Sequence, residues 1–260
     1  PMIDSHGHSA MTQPLLILGG TTEAAALARQ ASNAGLKAVV SLAGRVNAPA
    51  RQPLPVRVGG FGGVDGLAAY LRAEGFRAVV DATHPFAAQM SRNAVAACAK
   101  VEIPLLALTR AAWQETEGDK WTSVPDIPAA VRALCGPHRR VFLAVGRQHL
   151  PDFAPNAQHY YLLRVVDGMD TPPFPDCEVI TARGPFSADA DESLLRSHGI
   201  DVVVSKNSGG NGAAAKIVAA RRLGLPVIMI DRPQLPARRE AHSVDEVMRW
   251  IGHPAADLGV

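Results

Sequence analysis

The sequence predicts an α/β protein built from doubly wound parallel sheets flanked by helices, and three observations carry that prediction. Short runs of Val, Leu and Ile alternate with alanine-rich stretches of helical length. The alternation pauses near Gly136-Pro137 and then starts again. The first apolar run passes through a glycine pair directly into a helix, as strand-to-helix turns in such sheets do. Strands buried on both faces read as continuous apolar runs, not alternating ones, and these runs are of that kind.

In order, the first series has strands Leu15–Leu18, Ala38–Leu42, Val56–Val58, 78–80 and Leu105–Leu108, with helices over 23–34, 64–74 and 87–100. Strand-helix-strand steps are right-handed and leave the strands parallel. An amphipathic helix over 127–135 follows, stopped by Gly136-Pro137. The second series has strands 141–145, 160–166, 178–181, 202–204 and 227–230, with helices near 187–198 and over 213–223. Thr171-Pro172-Pro173-Phe174-Pro175 is a loop, because proline gives a ladder no donor. A last helix, 244–251, has Ser243 as N-cap and Glu246 to complete a capping box. The series also resemble each other: strand, helix and Ile103-Pro104 are echoed by strand, helix and Leu225-Pro226, each proline followed six residues on by an arginine, Arg110 and Arg232. The expected division is residues 1–13 as a vector-derived remnant or disordered N-terminus, 14–138 as a first domain and 139–260 as a second. A terminal strand can join the other domain's sheet without leaving a sequence signal.

With 26 Lys+Arg against 24 Asp+Glu, a net charge of +2, and arginines scattered through loops, nothing favours nucleic acid as a partner. No apolar run approaches the roughly 20 residues that span a bilayer, which argues against a membrane role. Cys98, Cys135 and Cys177 are far apart, with no zinc spacing and an odd number for disulfides, so they read as reduced thiols of a cytoplasmic protein. His6 and His8 lack companion ligands, and no metal is expected. Without a heptad or a self-complementary apolar strip, a monomer is the default.

Ligands of such sheets bind beyond the strand C-termini. Gly19-Gly20-Thr21-Thr22-Glu23 closes the first strand, where glycines let backbone approach a pyrophosphate and the helix start offers free N–H groups. Ala24 stands where G-x-G-x-x-G has its third glycine, and similar turns also occur without a ligand. Ser41-Leu42-Ala43-Gly44-Arg45 ends the second strand without a carboxylate, and Ser41 with Arg45 suits a 2′-phosphate, which points to NADP over NAD. A solvated loop arginine is the alternative. Gly59-Gly60-Phe61-Gly62-Gly63 is either a surface for a flat ligand or a loop tip. Thr83-His84-Pro85-Phe86 places Thr83 and His84 at the sheet's ligand edge, Pro85 suiting a first helical position. His84 is a candidate proton donor or a structural histidine. Lys206-Asn207-Ser208-Gly209-Gly210 can hold phosphate or carboxylate, or simply cap a helix. Arg147 and Arg183 suit substrate carboxylates or the open surface.

Taken together and in this order, from about Leu15 to Ile251, these segments resemble the precorrin-6A reductase family, NADPH-dependent enzymes of cobalamin biosynthesis. Asp81-Ala82-Thr83-His84-Pro85-Phe86-Ala87, Gly184-Pro185-Phe186 and Ser205-Lys206-Asn207-Ser208-Gly209-Gly210 belong to the matching motifs. The resemblance implies two Rossmann-like domains with a ligand cleft between them. It also implies hydride transfer from NADPH to a double bond of an anionic tetrapyrrole, precorrin-6A, giving precorrin-6B without a metal. It assigns Gly19, Gly20, Thr21, Thr22, Glu23, Ser41, Gly44, Arg45, Gly60, Phe61, Gly62, Thr83, His84, Pro85, Lys206, Asn207 and Ser208 to the cofactor. Arg147, Arg183, Phe186, Lys206, Gly209 and Gly210 go to the substrate. His84, water and a substrate carboxyl group all remain open as the proton donor. The alternatives are the cobalt-containing substrate of the anaerobic pathway, a two-domain sugar-nucleotide transferase, and a non-enzymatic NADP sensor.

Overall fold

The computed structural model describes residues 13–44 and 51–252; His6, His8 and Arg45 lie outside them. Along the chain the elements are β1 (Leu15–Leu18), α1 (Thr22–Asn33), β2 (Ala38–Leu42), β3 (Val56–Val58), α2 (Gly63–Ala73), β4 (Ala78–Asp81), α3 (Ala88–Val101) and β5 (Leu105–Leu108). Next come β6 (Lys120–Val124), α4 (Ile127–Ala133), β7 (Arg140–Ala144), a 3-10 turn (Arg147–Phe153), β8 (Tyr160–Val165) and β9 (Cys177–Thr181). The remainder is α5 (Ala188–Ser197), β10 (Val202–Lys206), α6 (Ala215–Leu223), β11 (Pro226–Ile230), β12 (Glu240–Ala241) and α7 (Val244–Gly252).

The expected class is what forms: among the described residues there are two six-stranded sheets, every pairing parallel. The first runs β3-β2-β1-β4-β5-β12 and the second β9-β8-β7-β10-β11-β6. Both orders are the doubly wound 3-2-1-4-5 pattern with one further edge strand. The strand direction of travel reverses between β1 and β4 in one sheet and between β7 and β10 in the other. A crevice opens at such a switch point, so each sheet has one place where a ligand belongs.

The sixth strands depart from the sequence expectation. Lys120–Val124 was expected neither as a strand nor as part of the second series, yet it pairs with β11 in register from Lys120 and Pro226 to Val124 and Ile230. Its Lys-Trp-Thr-Ser-Val sequence carries no apolar run because only Val124 is buried, as an edge strand allows. Glu240–Ala241 pairs with β5 and so closes the first sheet from beyond the second. By contacts, one compact unit holds the described residues up to Arg110 and those from Gln234 onward, and the other holds Ala111–Pro233. That division falls elsewhere than at 138/139, and the reason is these two strands: β6 and α4 pack with the second sheet, β12 and α7 with the first.

The first sheet is covered on both faces. Leu15, Ile17 and Val40 meet Leu27 and Ala28 of α1 and Val247, Trp250 and Ile251 of α7. Leu16, Leu18 and Val79 meet Leu67 and Leu71 of α2 and Ala94 and Ala97 of α3. Each fully buried aliphatic chain contributes about 2 kcal/mol of transfer free energy. In the second unit Phe142, Leu162, Val203 and Met229 pack on Leu195 of α5 and on Ile217 and Ala220 of α6. Phe174, in the proline-rich loop, turns inward and stacks on Tyr161 at 3.9 Å between centroids.

Candidate functional site

At the switch point of the first sheet the turn from β1 to α1 is shaped by its two glycines. A Cβ on Gly19 would come within 3.0 Å of Val40 Cγ1 and 3.2 Å of Leu42 Cδ2, so the turn lies hard against β2. Gly20 has φ +110°, and a Cβ there would meet nothing within 4 Å. Space and an unusual backbone angle coincide where a pyrophosphate would need close approach. Thr21 is the N-cap of α1: its Oγ1 accepts from Ala24 N at 3.1 Å and donates to the Ala82 carbonyl at 2.7 Å. The first-turn amides of Thr22 and Glu23 have no intrahelical acceptor and stand at the positive end of the helix dipole. The Glu23 carboxylate, which would oppose an anion there, is met by Arg110 Nη1 at 3.4 Å. This donor set fits the phosphates of a dinucleotide.

The end of β2 has no acid. Ser41 is buried and Gly44 is left-handed with φ +76°. After β3, Arg57 donates to the Gly59 and Gly60 carbonyls at 2.7 and 2.8 Å and lies 3.8 Å over the Phe61 ring. Phe61 in turn packs on Tyr70, so the five-residue glycine segment is anchored through Arg57 and is not a loose tip.

After β4, Pro85 is buried but is not the first helical residue as expected. Ala87 N closes a turn on the His84 carbonyl at 2.8 Å, and α3 starts only at Ala88. His84 Nδ1 accepts from Phe86 N at 3.2 Å, which leaves the ring hydrogen of the neutral side chain on Nε2. The Thr21 bond to Ala82 ties this loop to the glycine turn.

The second sheet's switch point brings together Lys206 and the Gly146 turn. Lys206 Nζ lies 3.6 Å from where a Cβ on Gly146 would be, next to the exposed Arg147. The loop after β10 is fastened within its own unit. Asn207 Oδ1 accepts from Trp113 N at 2.8 Å and its Nδ2 donates to Trp113 O at 3.0 Å. Arg232 donates to the carbonyls of Asn207 and Ser208 at 3.0 and 3.1 Å, and Trp113 Nε1 to that of Gly210 at 2.7 Å. Gly209, at φ +68°, leaves no room for a Cβ, which would strike the Ala111 carbonyl and the Arg232 guanidinium. Phe186 belongs to another cluster: Arg164 stacks 3.6 Å over its ring while pairing with Asp191 at 2.6 and 3.1 Å. Arg183 is exposed.

Sequence reasoning missed the partners that hold these loops: Arg110, Trp113, Arg164, Arg232 and Arg238. The one available signal was Asp81, a carboxylate ending an otherwise apolar strand, whose burial requires donors. Its arginine, Arg238, is 157 residues away and has no local signature.

Two sheets in Rossmann order, with an open, amide-lined glycine turn at the first switch point, define the class of dinucleotide-binding-type α/β proteins. Residues 14–252 match the family model described as Precorrin-6x reductase CbiJ/CobK, and the chain belongs to that family. It is 56% identical over 248 residues to the Precorrin-6A reductase of Rhodobacter capsulatus, covering 95% of this chain and 99% of that one. It is 43% identical over 239 residues to the Precorrin-6A reductase of Mycobacterium tuberculosis H37Rv, covering 91% and 96%. The Cobalt-precorrin-6A reductase of Priestia megaterium is 30% identical over 250 residues, covering 91% and 97%. A solved structure titled CobK precorrin-6A reductase superposes with a TM-score of 0.89 at 56% identity, covering 95% of this chain and 98% of that one. The chain is therefore an oxidoreductase, and reductases of this family work with a nicotinamide cofactor. No helix among the described residues is long and apolar enough to cross a membrane.

Proposed function

We propose that this enzyme reduces one carbon–carbon double bond of precorrin-6A with NADPH, giving precorrin-6B in cobalamin biosynthesis. The observation that carries the reading is the 56% identity to a Precorrin-6A reductase across 95% of the chain. Relatives named Cobalt-precorrin-6A reductase reach only 30% and 27% identity, which favours the metal-free macrocycle. The lack of a carboxylate at the end of β2, with Ser41, Gly44 and then Arg45 in its place, supports a 2′-phosphate and hence NADPH over NADH.

NADPH, when bound, supplies the hydride. Gly19, Gly20, Thr22 and Glu23 hold its pyrophosphate through backbone, and Thr21 fixes their helix start. Gly60, Phe61 and Gly62, braced by Arg57, flank the nucleotide, and Thr83, His84 and Pro85 face the nicotinamide end. In the second unit Lys206, Ser208, Arg147 and Arg183 meet the substrate carboxylates, while Asn207, Gly209, Gly210 and Phe186 keep their loops in shape for that contact. His84 can donate a proton from Nε2; water and a substrate carboxyl group are its competitors. The enzyme works as a cytoplasmic monomer.

The test is anaerobic NADPH absorbance with purified enzyme and precorrin-6A, run beside NADH and beside the cobalt form. Oxidation of NADPH with a tetrapyrrole reduced by two electrons is the expected result. Folded, NADPH-binding enzyme that turns over none of them overturns the proposal. A His84→Ala enzyme with an unchanged single-turnover rate would remove the histidine as donor.

A further inference from the structure

One buried carboxylate gathers four donors beside the proposed nicotinamide end. Asp81, the last residue of β4, is 2% exposed. Its Oδ1 accepts from Thr83 Oγ1 at 2.6 Å and from Thr83 N at 3.1 Å. Its Oδ2 accepts from Ser91 Oγ at 2.6 Å and from Arg238 Nη1 at 2.7 Å. Arg238 comes from the segment leading into β12, and its side chain is 8% exposed. Thr83 Oγ1 also lies 3.4 Å from Ser91 Oγ, but each hydroxyl makes its shorter contact, 2.6 Å, with the carboxylate and donates there, so Thr83 Oγ1 keeps only lone pairs for anything that approaches it.

We infer that Asp81 is a positioning residue for hydride transfer: it holds Thr83 Oγ1 as an obligate hydrogen-bond acceptor, matched to the carboxamide N–H of the nicotinamide. The inference rests on the proposed placing of Thr83 at the nicotinamide end. A buried ion pair contributes little stability beyond an apolar pair of equal volume, so stability alone gives no reason for this arrangement. What the charge does is fix one hydroxyl rotor and the path of the chain into His84. Arg238 keeps the carboxylate facing Ser91 and Thr83, and Ser91 prevents Oδ2 from swinging away.

The test uses Asp81→Asn, the charge-neutral double variant Asp81→Asn/Arg238→Met in case the single change leaves Arg238 with only the longer Glu240 contact at 3.6 Å and unfolds the unit, and Thr83→Val. Each is measured for NADPH affinity, for single-turnover hydride transfer, and for the primary isotope effect with NADPH deuterated at the transferring position. Expected for the Asp81 variants is a loss of at least about tenfold in transfer rate with affinity held within about threefold, and a larger isotope effect on turnover because the chemical step becomes limiting. Thr83→Val reproduces that loss, and combining it with Asp81→Asn adds little. A rate that falls only in step with the folded fraction, at an unchanged isotope effect, makes Asp81 merely structural and overturns the inference. Loss in Thr83→Val without loss in the Asp81 variants overturns it too, leaving the cofactor placement standing. If Thr83→Val changes nothing, Thr83 leaves the nicotinamide end and the inference goes with it; turnover of precorrin-6A by the parent enzyme is a separate readout.

Discussion

Thr21 donates its hydroxyl to the Ala82 carbonyl at 2.7 Å while accepting the amide of Ala24. One side chain thus caps α1 and joins the two loops that meet where the first sheet reverses. Thr21→Val keeps the shape and loses both bonds. Stability should fall by about 1–2 kcal/mol, the value of an N-cap, and NADPH affinity should fall with it. Urea titration and fluorescence titration with NADPH measure the two losses; unchanged affinity would separate the cap from the cofactor.

Gly20 and Gly209 both have positive φ, but alanine should have opposite consequences at the two sites. At Gly20 the new methyl meets no protein atom, so the cost to folding is backbone strain of about 1–3 kcal/mol while the space for a pyrophosphate is filled. At Gly209 the methyl collides with Ala111 and Arg232, and the melting temperature should drop further. Binding lost out of proportion to stability at Gly20, and the reverse at Gly209, is the expected pattern in paired melts and NADPH titrations.

Asp119 gives the second unit an acid limit. Burial alone would raise its pKa, but hydrogen bonds from Arg221 at 2.9 and 3.2 Å and from Thr116 at 2.8 and 3.0 Å outweigh that and hold it below the ordinary carboxylate value. A folded pKa depressed below the unfolded value of about 3.9 adds stability above that pH and loses it as pH falls through the folded value. Asp119→Asn should therefore be less stable than the parent at neutral pH, with the gap narrowing below about pH 4. Urea midpoints across that range check the sign; a constant gap contradicts it.

The thiols should label in order of their surroundings. Cys98 is buried between α3 and the first sheet, and burial, with the nearby Asp81 charge, pushes its pKa up to about 12. Cys135 is exposed. Iodoacetamide at about pH 8 should modify Cys135 in the native enzyme and reach Cys98 only when urea opens the first unit. Mass spectrometry of peptides gives the order directly.

Much of this fold could be read from the sequence because its central strands are mostly apolar and three helices have a recognisable start: Thr21 before α1, Asp126 before α4 and Ser187 before α5 each cap through a side-chain oxygen. Ser243 likewise accepts from Glu246 N, though Glu246 reaches back to His242 N and not to the cap residue itself. What could not be read was pairing at the sheet margins. Lys120–Val124 satisfies its backbone through β11 without needing apolar side chains, and Glu240–Ala241 is too short for any period to show. The loops of the candidate site were legible through their glycines, but their fastenings were not. Asn207 looks like a ligand-facing amide in sequence, and only the fold reveals that both ends of that amide are engaged by Trp113.

The two margin strands set an order of events during synthesis. Ala111–Pro233 is one unbroken stretch of chain that contains all six strands of its own sheet, so it can complete its core as soon as it has cleared the ribosome. The earlier-made sheet must wait: until Glu240 and Ala241 arrive, β5 keeps an open edge, and until α7 arrives the apolar face at Leu27 has no cover. The half of the enzyme translated first is thus the half that finishes last.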